Sequence, residues 1–204
     1  QESRGLGDVY KRQGETSSYR SNPLGLAEFT LSRKDPEYVG RAKAIQKVER
    51  VREAGECMGE ADPNMKTAMH KVKEMFPDAC GSNTGVGSTI FAVKPGDGSA
   101  REQAASCQKV LGGWANIANE YATKRYRSNL INWGMLPFLI PAGDLPFANG
   151  DYLFFPQVRK AVADKVDSIT GYVVKADGLK EFQVTLGELT DDEREIILKG
   201  CLIN

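Results

Sequence analysis

Residues 89–101 read Thr-Ile-Phe-Ala-Val-Lys-Pro-Gly-Asp-Gly-Ser-Ala-Arg, an apolar run followed by a glycine-rich turn. The run 89–93 predicts a buried strand, and residues 102–111 predict a helix. The turn therefore presents Ser99 and Arg101 at a helix N-terminus, where free N–H groups and partial positive charge favour anions. The positive charge at the helix N-terminus favours the deprotonated, alkoxide form of a serine there. An arginine at the same place can hold a carboxylate through two parallel hydrogen bonds.

The same turn has a purely structural interpretation. Ser99-Ala-Arg-Glu102 also fits a capping box, in which the serine caps the helix and the glutamate reaches back to the backbone. Many helices begin in this way, so the turn alone favours the structural role. The motifs that follow it along the chain favour a catalytic role.

Those motifs come in a fixed order. Leu111-Gly-Gly follows the turn, and Asn129-Leu130 precedes Gly134-Met-Leu-Pro by four residues. Together with the turn, this order resembles the C-terminal swivel domain of the aconitase family, and it is most similar to the bacterial aconitase-like hydratases. The segment Gly14-Glu-Thr-Ser-Ser-Tyr-Arg20 is similar to the place where that domain carries a substrate-binding arginine. The resemblance extends over residues 14–204.

The resemblance implies an α/β fold, a three-layer β/β/α swivelling domain of the aconitase C-terminal type. It also implies reversible dehydration and hydration of a hydroxy-di- or tricarboxylate, with a 4Fe-4S cluster as Lewis acid. Ser99 matches the serine that removes a proton from carbon, and Arg20 and Arg101 match arginines that bind the substrate. We expect the three side chains to converge on one concave surface, because removing a proton beside a carboxylate needs a base and cations together.

Two residues depart from the family pattern. Ala100 stands where many members have a second serine, and Gln103 stands where many have histidine. Ala100 removes a hydroxyl near the substrate, so citrate and isocitrate are not the expected acids. Gln103 lies further into the helix, where we expect it to support the structure.

The cysteines show no spacing that would bind an iron–sulfur cluster. Cys57, Cys80, Cys107 and Cys201 contain no Cys-x-x-Cys pair, so we predict ordinary thiols and no cofactor bound by this chain. The cluster is then expected in N-terminal domains missing from this sequence, or in a large subunit. His70, the single histidine, has no nearby partner ligand and predicts a surface or interfacial residue.

Composition narrows the class of protein. Lys plus Arg and Asp plus Glu both number 27 in 204 residues, so overall charge does not point to nucleic acid or membrane. The basic stretch 124–127 predicts a solvated helix start rather than a nucleic-acid site. The sequence has no apolar run of membrane-spanning length and no signal-peptide core, so we expect a cytoplasmic protein.

The first residues look foreign to the domain. Asp8-Val-Tyr-Lys-Arg-Gln13 back-translates to codons that resemble a transposon-end sequencing adaptor, so residues 1–13 are predicted to be a non-native appendage. The domain is then 14–204, a fragment of a larger multidomain enzyme that is inactive alone. Two alternatives stay open: a free-standing small subunit, since the related isopropylmalate dehydratases divide in this way, and a catalytically silent binding or regulatory domain.

The remaining patterns alternate helices and strands. Helices are predicted at 36–53, 65–76, 127–133 and 193–199, the last with a capping box at Thr190, and strands at 115–118 and 135–140. A hairpin is predicted from 169–175 and 181–186 around Asp177-Gly178. Residues 56–63 and the glycine-rich stretch 81–87 predict connections.

Overall fold

The computed structural model describes residue 19 and residues 21–33, 35–98 and 100–203. In this part of the chain four helices precede the first strand, and strands and helices are then interspersed. The helices are α1 (Pro23–Ser32), α2 (Pro36–Glu53), α3 (Met58–Ala61), α4 (Pro63–Met75), α5 (Arg101–Val110), α6 (Lys124–Asn132), α7 (Val158–Ala163) and α8 (Asp191–Lys199). The strands are β1 (Ser88–Ala92), β2 (Gly113–Ala118), β3 (Leu136–Leu139), β4 (Tyr152–Phe154), β5 (Ser168–Lys175) and β6 (Gly178–Thr185). The predicted α/β class is confirmed. The predictions for residues 1–13, Arg20 and Ser99 lie outside the described residues.

The six strands form one mixed sheet in the order β1-β2-β3-β6-β5-β4. β1, β2 and β3 are parallel, as expected for strands joined through the helices α5 and α6. β4, β5 and β6 are antiparallel. Among the described residues, Leu139 and Thr185 form the single residue pair that joins β3 to β6.

One apolar core nevertheless spans both halves of the sheet. Ile117 and Phe138 of the parallel half and Val173 and Phe182 of the antiparallel half belong to the same buried cluster. The rings of Phe138 and Phe155 stack with centroids 4.7 Å apart. Side chains from two sheet regions facing a common core agree with the two β layers of the predicted architecture.

Helices supply the third layer, over the parallel half of the sheet. Ala104 and Ala105 of α5 pack against Tyr126 and Leu130 of α6 in a buried cluster that includes Met135. The alanines allow the two helices to approach closely, and the larger side chains of α6 fill the space between them.

A separate apolar cluster joins α1 to the other end of α5. Ala27 and Leu31 of α1 lie with Cys107 and Leu111 in this cluster. The segment that follows Arg20 in the chain is therefore packed onto the helix that begins at Arg101, although the two are far apart in sequence.

Several local predictions are confirmed in detail. Lys175 pairs with Gly178 across the tight turn of the hairpin. At the start of α8, Glu193 N–H donates to Thr190 Oγ1 at 3.2 Å and Thr190 N–H donates to Glu193 Oε2 at 2.9 Å, so the capping box is present. α8 ends at Gly200, whose φ of 94° is the left-handed conformation typical of glycine after a helix.

The prediction of a plain connection at 56–63 is wrong, because this stretch contains the short helix α3. Asp62 then caps α4 by accepting from Asn64 N–H at 2.9 Å. Pro63 occupies the first helical position, where its fixed φ is already suited to a helix. α4 therefore starts two residues earlier than its apolar spacing indicates.

Candidate functional site

The carboxyl ends of β1, β2 and β3 lie at one edge of the sheet because the three strands are parallel. The loops that leave this edge are tied to each other. Glu120 N–H donates to Val93 O at 3.1 Å, and Ala122 N–H donates to Pro95 O at 2.9 Å. This edge is where open α/β sheets bind their ligands. It also carries the glycine-rich turn identified from the sequence.

Gly96 brings this turn against α6. Its φ is +99°, and a Cβ atom built on it would lie 2.5 Å from Tyr126 Cβ. Both observations require glycine, because other residues rarely adopt this backbone conformation and the space is already filled. The glycine pattern of the turn therefore has a steric cause in its contact with α6.

Arg101 is the first residue of α5, and Ala100 is the N-cap without a side-chain capping bond. Arg101 Nε donates to Gly96 O at 3.1 Å, which holds the half-buried guanidinium over the turn. Within the described ranges Arg101 has no salt bridge, so its two terminal nitrogens are the groups that can hold a carboxylate in a fork. Ser99, the residue before the N-cap, and Arg20 lie outside the described residues.

The sequence pattern Ser99-x-x-Glu102 can be compared with the structure only at Glu102, because Ser99 lies outside the described residues. The N-cap position of α5 is occupied by Ala100. Glu102 turns toward α6, where its Oε1 accepts from Trp133 Nε1 at 2.6 Å. The glutamate of the motif thus has a partner on the neighbouring helix.

Asn129 is a further residue at this site, to which sequence reasoning assigned no role. With its amide oriented to satisfy its neighbours, its oxygen accepts from Glu102 N–H at 2.8 Å and its nitrogen donates to Glu102 Oε2 at 3.2 Å. The signal was present in the Asn129-Leu130 motif. The partner depends on how two helices pack and could not be derived from the spacing.

The buried Tyr126 and the half-buried Tyr121 make hydrogen bonds near this edge. Tyr121 donates its hydroxyl proton toward Phe138 O at 3.0 Å, and Tyr126 accepts from Asn116 Nδ2 at 3.0 Å. Burial raises the pKa of both phenols well above their usual range. Their hydrogen bonds to Phe138 O and Asn116 Nδ2 give both phenols a structural role.

The described residues do not fit an iron–sulfur cluster or another metal. No group of three histidine, cysteine or carboxylate side chains that could hold a metal ion occurs among them. Cys107 is buried between α1 and α5, while Cys57 is exposed at the start of α3. His70 is exposed on α4, which confirms the predicted surface position. Across the part of the chain with assigned structure, no helix is long and apolar enough to cross a bilayer.

Comparison with known families matches this region. The sequence model of the aconitase C-terminal domain matches residues 39–143, which is more than half of the 204 residues. The chain belongs to the aconitase C-terminal domain family. The resemblance drawn from the motifs is thereby confirmed. The matched range contains the turn, α5 and α6, whereas Arg20 precedes it.

Solved structures include a similar protein. A crystal structure of 3-isopropylmalate dehydratase from Methanocaldococcus jannaschii is 22% identical to this aconitase C-terminal domain, with a TM-score of 0.34. The match covers 60% of this chain and 65% of that chain, slightly less than two thirds of its length. No curated protein matches the chain.

Proposed function

We propose that this aconitase C-terminal domain supplies part of the active site of a hydro-lyase that reversibly dehydrates a hydroxy-di- or tricarboxylate. The observation that carries the proposal is the position of Arg101. It is the first residue of α5, at the carboxyl edge of the parallel strands, and Gly96 O holds its Nε. A guanidinium fixed in this way beside a helix N-terminus is suited to a carboxylate.

In the proposed reaction Ser99 is the base. Its alkoxide takes a proton from the carbon next to a substrate carboxylate and becomes the neutral serine hydroxyl. The hydroxyl group on the neighbouring carbon takes a proton from an acid supplied by the other domains or the large subunit, and leaves as water when the double bond forms. Negative charge develops on the carboxylate during proton removal, and Arg101 stabilises it through two hydrogen bonds. Arg20 holds a second carboxylate, which fixes the substrate between the two arginines.

A 4Fe-4S cluster, when bound, would supply Lewis acidity for the departing hydroxyl. Since the described residues do not form a ligand set for it, we place the cluster in cysteine-bearing domains outside this sequence or in a large subunit. Because Ala100 replaces the second serine of many family members, the proposed substrate pocket has one hydroxyl group fewer. We therefore propose that the substrate is an acid other than citrate or isocitrate. We also propose that the enzyme is cytoplasmic.

The test uses the enzyme that contains this domain together with its cluster-bearing part. Ser99→Ala should lower kcat by about three orders of magnitude, because general-base and charge-stabilising interactions contribute in that range. KM should change by only a few-fold, since an alkoxide acts mainly in the transition state. Arg101→Lys should raise KM and lower kcat, because a point charge cannot replace the two-point fork. Rates of hydration and dehydration over a panel of hydroxy-carboxylates give kcat and KM for both variants.

Arg125→Lys is the matched control, because Arg125 is an exposed arginine on α6, and its activity should equal that of the parent. Activity that survives Ser99→Ala would contradict the assignment of the base. An assembled enzyme that turns over none of the acids would favour the silent binding or regulatory domain. The native reading frame upstream of Gly14 separates a multidomain enzyme, which carries Cys-x-x-Cys in frame, from a small subunit with its own start codon.

A further inference from the structure

α6 contacts the upstream end of the glycine-rich turn. Thr123, the N-cap of α6, donates from Oγ1 to Gly96 O at 3.1 Å, on the same carbonyl that accepts from Arg101 Nε. The Tyr126 side chain fills the space beside the Gly96 Cα. The turn is therefore held at its start by a hydrogen bond and by close packing.

The same helix contacts the downstream end of the turn. Asn129 binds both the backbone N–H and the carboxylate of Glu102, and its nitrogen also donates to Arg125 O at 3.1 Å. Trp133, directly after α6, donates to the Glu102 carboxylate as well. Glu102 is thus fixed by three hydrogen bonds, two from Asn129 of α6 and one from Trp133 directly after it.

The spacing of these contacts places them on one face of α6. Thr123, Tyr126 and Asn129 follow one another at intervals of three residues, the spacing that brings side chains together along a helix. One face of α6 therefore contacts both ends of the segment 96–102. In the sequence, Ser99 and Ala100 lie between these two contacts.

The start of α5 needs such a partner. The first N–H groups of a helix have no acceptor within the helix, and the N-cap Ala100 offers no side-chain oxygen. The Asn129 amide oxygen accepts from one of these N–H groups, that of Glu102. Asparagine is among the best capping residues when it stands in the N-cap position, and here the same chemistry comes from another helix.

We propose that α6 is a brace for the turn and that Asn129 is a positioning residue, which fixes where α5 begins and hence the direction in which Arg101 points. The proposal rests on the proposed function for the consequence in catalysis, but the brace itself concerns only the folded chain. A catalytic group must be held within about 0.5 Å of its working position, and a displacement of about 1 Å can lower a rate about a hundredfold. A brace at both ends of the turn meets that requirement.

The first test measures the brace in this chain by ¹⁵N NMR. Asn129→Ala removes the cap, so the Glu102 amide should exchange with solvent about ten times faster, which is the usual size of a lost helix cap. The Trp133 indole N–H resonance should shift, because its acceptor Glu102 loses a second anchor. Arg125→Ala, at an exposed residue one turn earlier on α6, should leave both signals unchanged.

A donor–acceptor exchange separates positioning from simple loss of a side chain. Asn129→Asp keeps an oxygen for Glu102 N–H but places two carboxylates face to face, so the Trp133 resonance should move as in Asn129→Ala. In the double variant N129D/E102Q, the new amide can donate to the new carboxylate while its oxygen still accepts from Trp133 Nε1. The resonance and the exchange rate should return toward the parent values.

The second test repeats the series in the assembled enzyme. Asn129→Ala should lower kcat about ten- to a hundredfold with KM nearly unchanged, and N129D/E102Q should recover most of the loss. Unchanged NMR signals would overturn the brace. Altered signals with parental kcat would overturn the positioning role and leave a structural cap. Altered signals in an assembled parent enzyme without activity would uphold the brace and refute the proposed function.

Discussion

At the scale of one residue, Gly96 decides whether the turn can lie against α6. Its positive φ and its contact with Tyr126 are separate requirements, and each excludes a side chain for a different reason. Gly150 has a similar φ of +87°, but no atom lies within 4 Å of the position where its Cβ would stand. The pair therefore separates backbone strain from crowding.

We expect Gly96→Ala to lower the free energy of unfolding by about 2–4 kcal/mol, the sum of a strained backbone and an overpacked contact. Gly150→Ala should lower it by only about 1–2 kcal/mol, because strain acts alone there. Urea denaturation followed by circular dichroism measures both. An equal loss of free energy of unfolding in the two variants would show that the Tyr126 side chain moves aside at no energetic cost.

The residues of the site were predictable to different degrees. The turn, the helix after it and Arg101 followed from local chemistry, because a glycine turn between a strand and a helix needs no knowledge of the tertiary structure. The link between Glu102 and Asn129 could not be predicted, since 27 positions separate the two and the contact depends on helix packing. The local motif Ser-x-x-Glu predicts a capping box, but the Glu102 side chain binds Trp133 and Asn129 instead.

At the scale of elements, α2 fixes the glycine-rich stretch 81–87, which the sequence predicted to be a connection. Glu49 Oε2 accepts from Val86 N–H at 2.8 Å, and Arg52 donates to Gly81 O at 3.0 Å. Arg52 also binds both carboxylate oxygens of Glu49 at 2.7 Å. One ion pair on α2 therefore holds both ends of the loop.

We expect Glu49→Ala to lower the free energy of unfolding by about 2–4 kcal/mol. The substitution leaves the largely buried Arg52 without its partner and Val86 N–H without an acceptor. Glu37→Ala, which removes an exposed ion pair with Arg41 on the same helix, should lower it by about 0.5 kcal/mol or less. Chemical denaturation of the two variants checks the difference, and similar losses would contradict the anchoring role of Glu49.

Three elements, β4, α7 and α1, were not predicted because no local sequence pattern defines them. β4 has three residues and exists through its pairing with β5. α7 begins after Gln157, whose φ of 52° is unusual for this residue and carries no sequence signal. α1 buries Ala27, Thr30 and Leu31 but has little amphipathic contrast, so packing on α5 rather than periodicity defines it.

At the scale of the whole molecule, Cys107 reports on global opening. It is 2% exposed between α1 and α5, and burial raises the pKa of its thiol to about 11. Cys80 is more accessible, and a hydrogen bond with Ser82 lowers the pKa of its thiol. The two thiols therefore differ both in access and in the fraction of reactive thiolate.

We expect iodoacetamide at pH 8 to modify Cys80 well before Cys107. The thiolate fraction of Cys107 at that pH is about one in a thousand, and it rises only as the pH approaches 11. Its modification should accelerate in urea in step with unfolding, because the α1–α5 contact must open first. Mass spectrometry of peptides over time gives both rates. Equal rates under native conditions would show that α1 detaches readily.

Within the strands that the structure describes, one residue pair, Leu139–Thr185, joins β3 to β6, and this has a mechanical consequence. Each half of the sheet is stiffened by its own backbone ladder, whereas the junction between the halves depends on side-chain burial. Arg127 of α6 crosses this junction and donates to Leu186 O at 3.0 Å and to Glu188 O at 2.6 Å. Relative movement of the two halves is therefore opposed by core side chains and by the hydrogen bonds of Arg127 more than by backbone pairing.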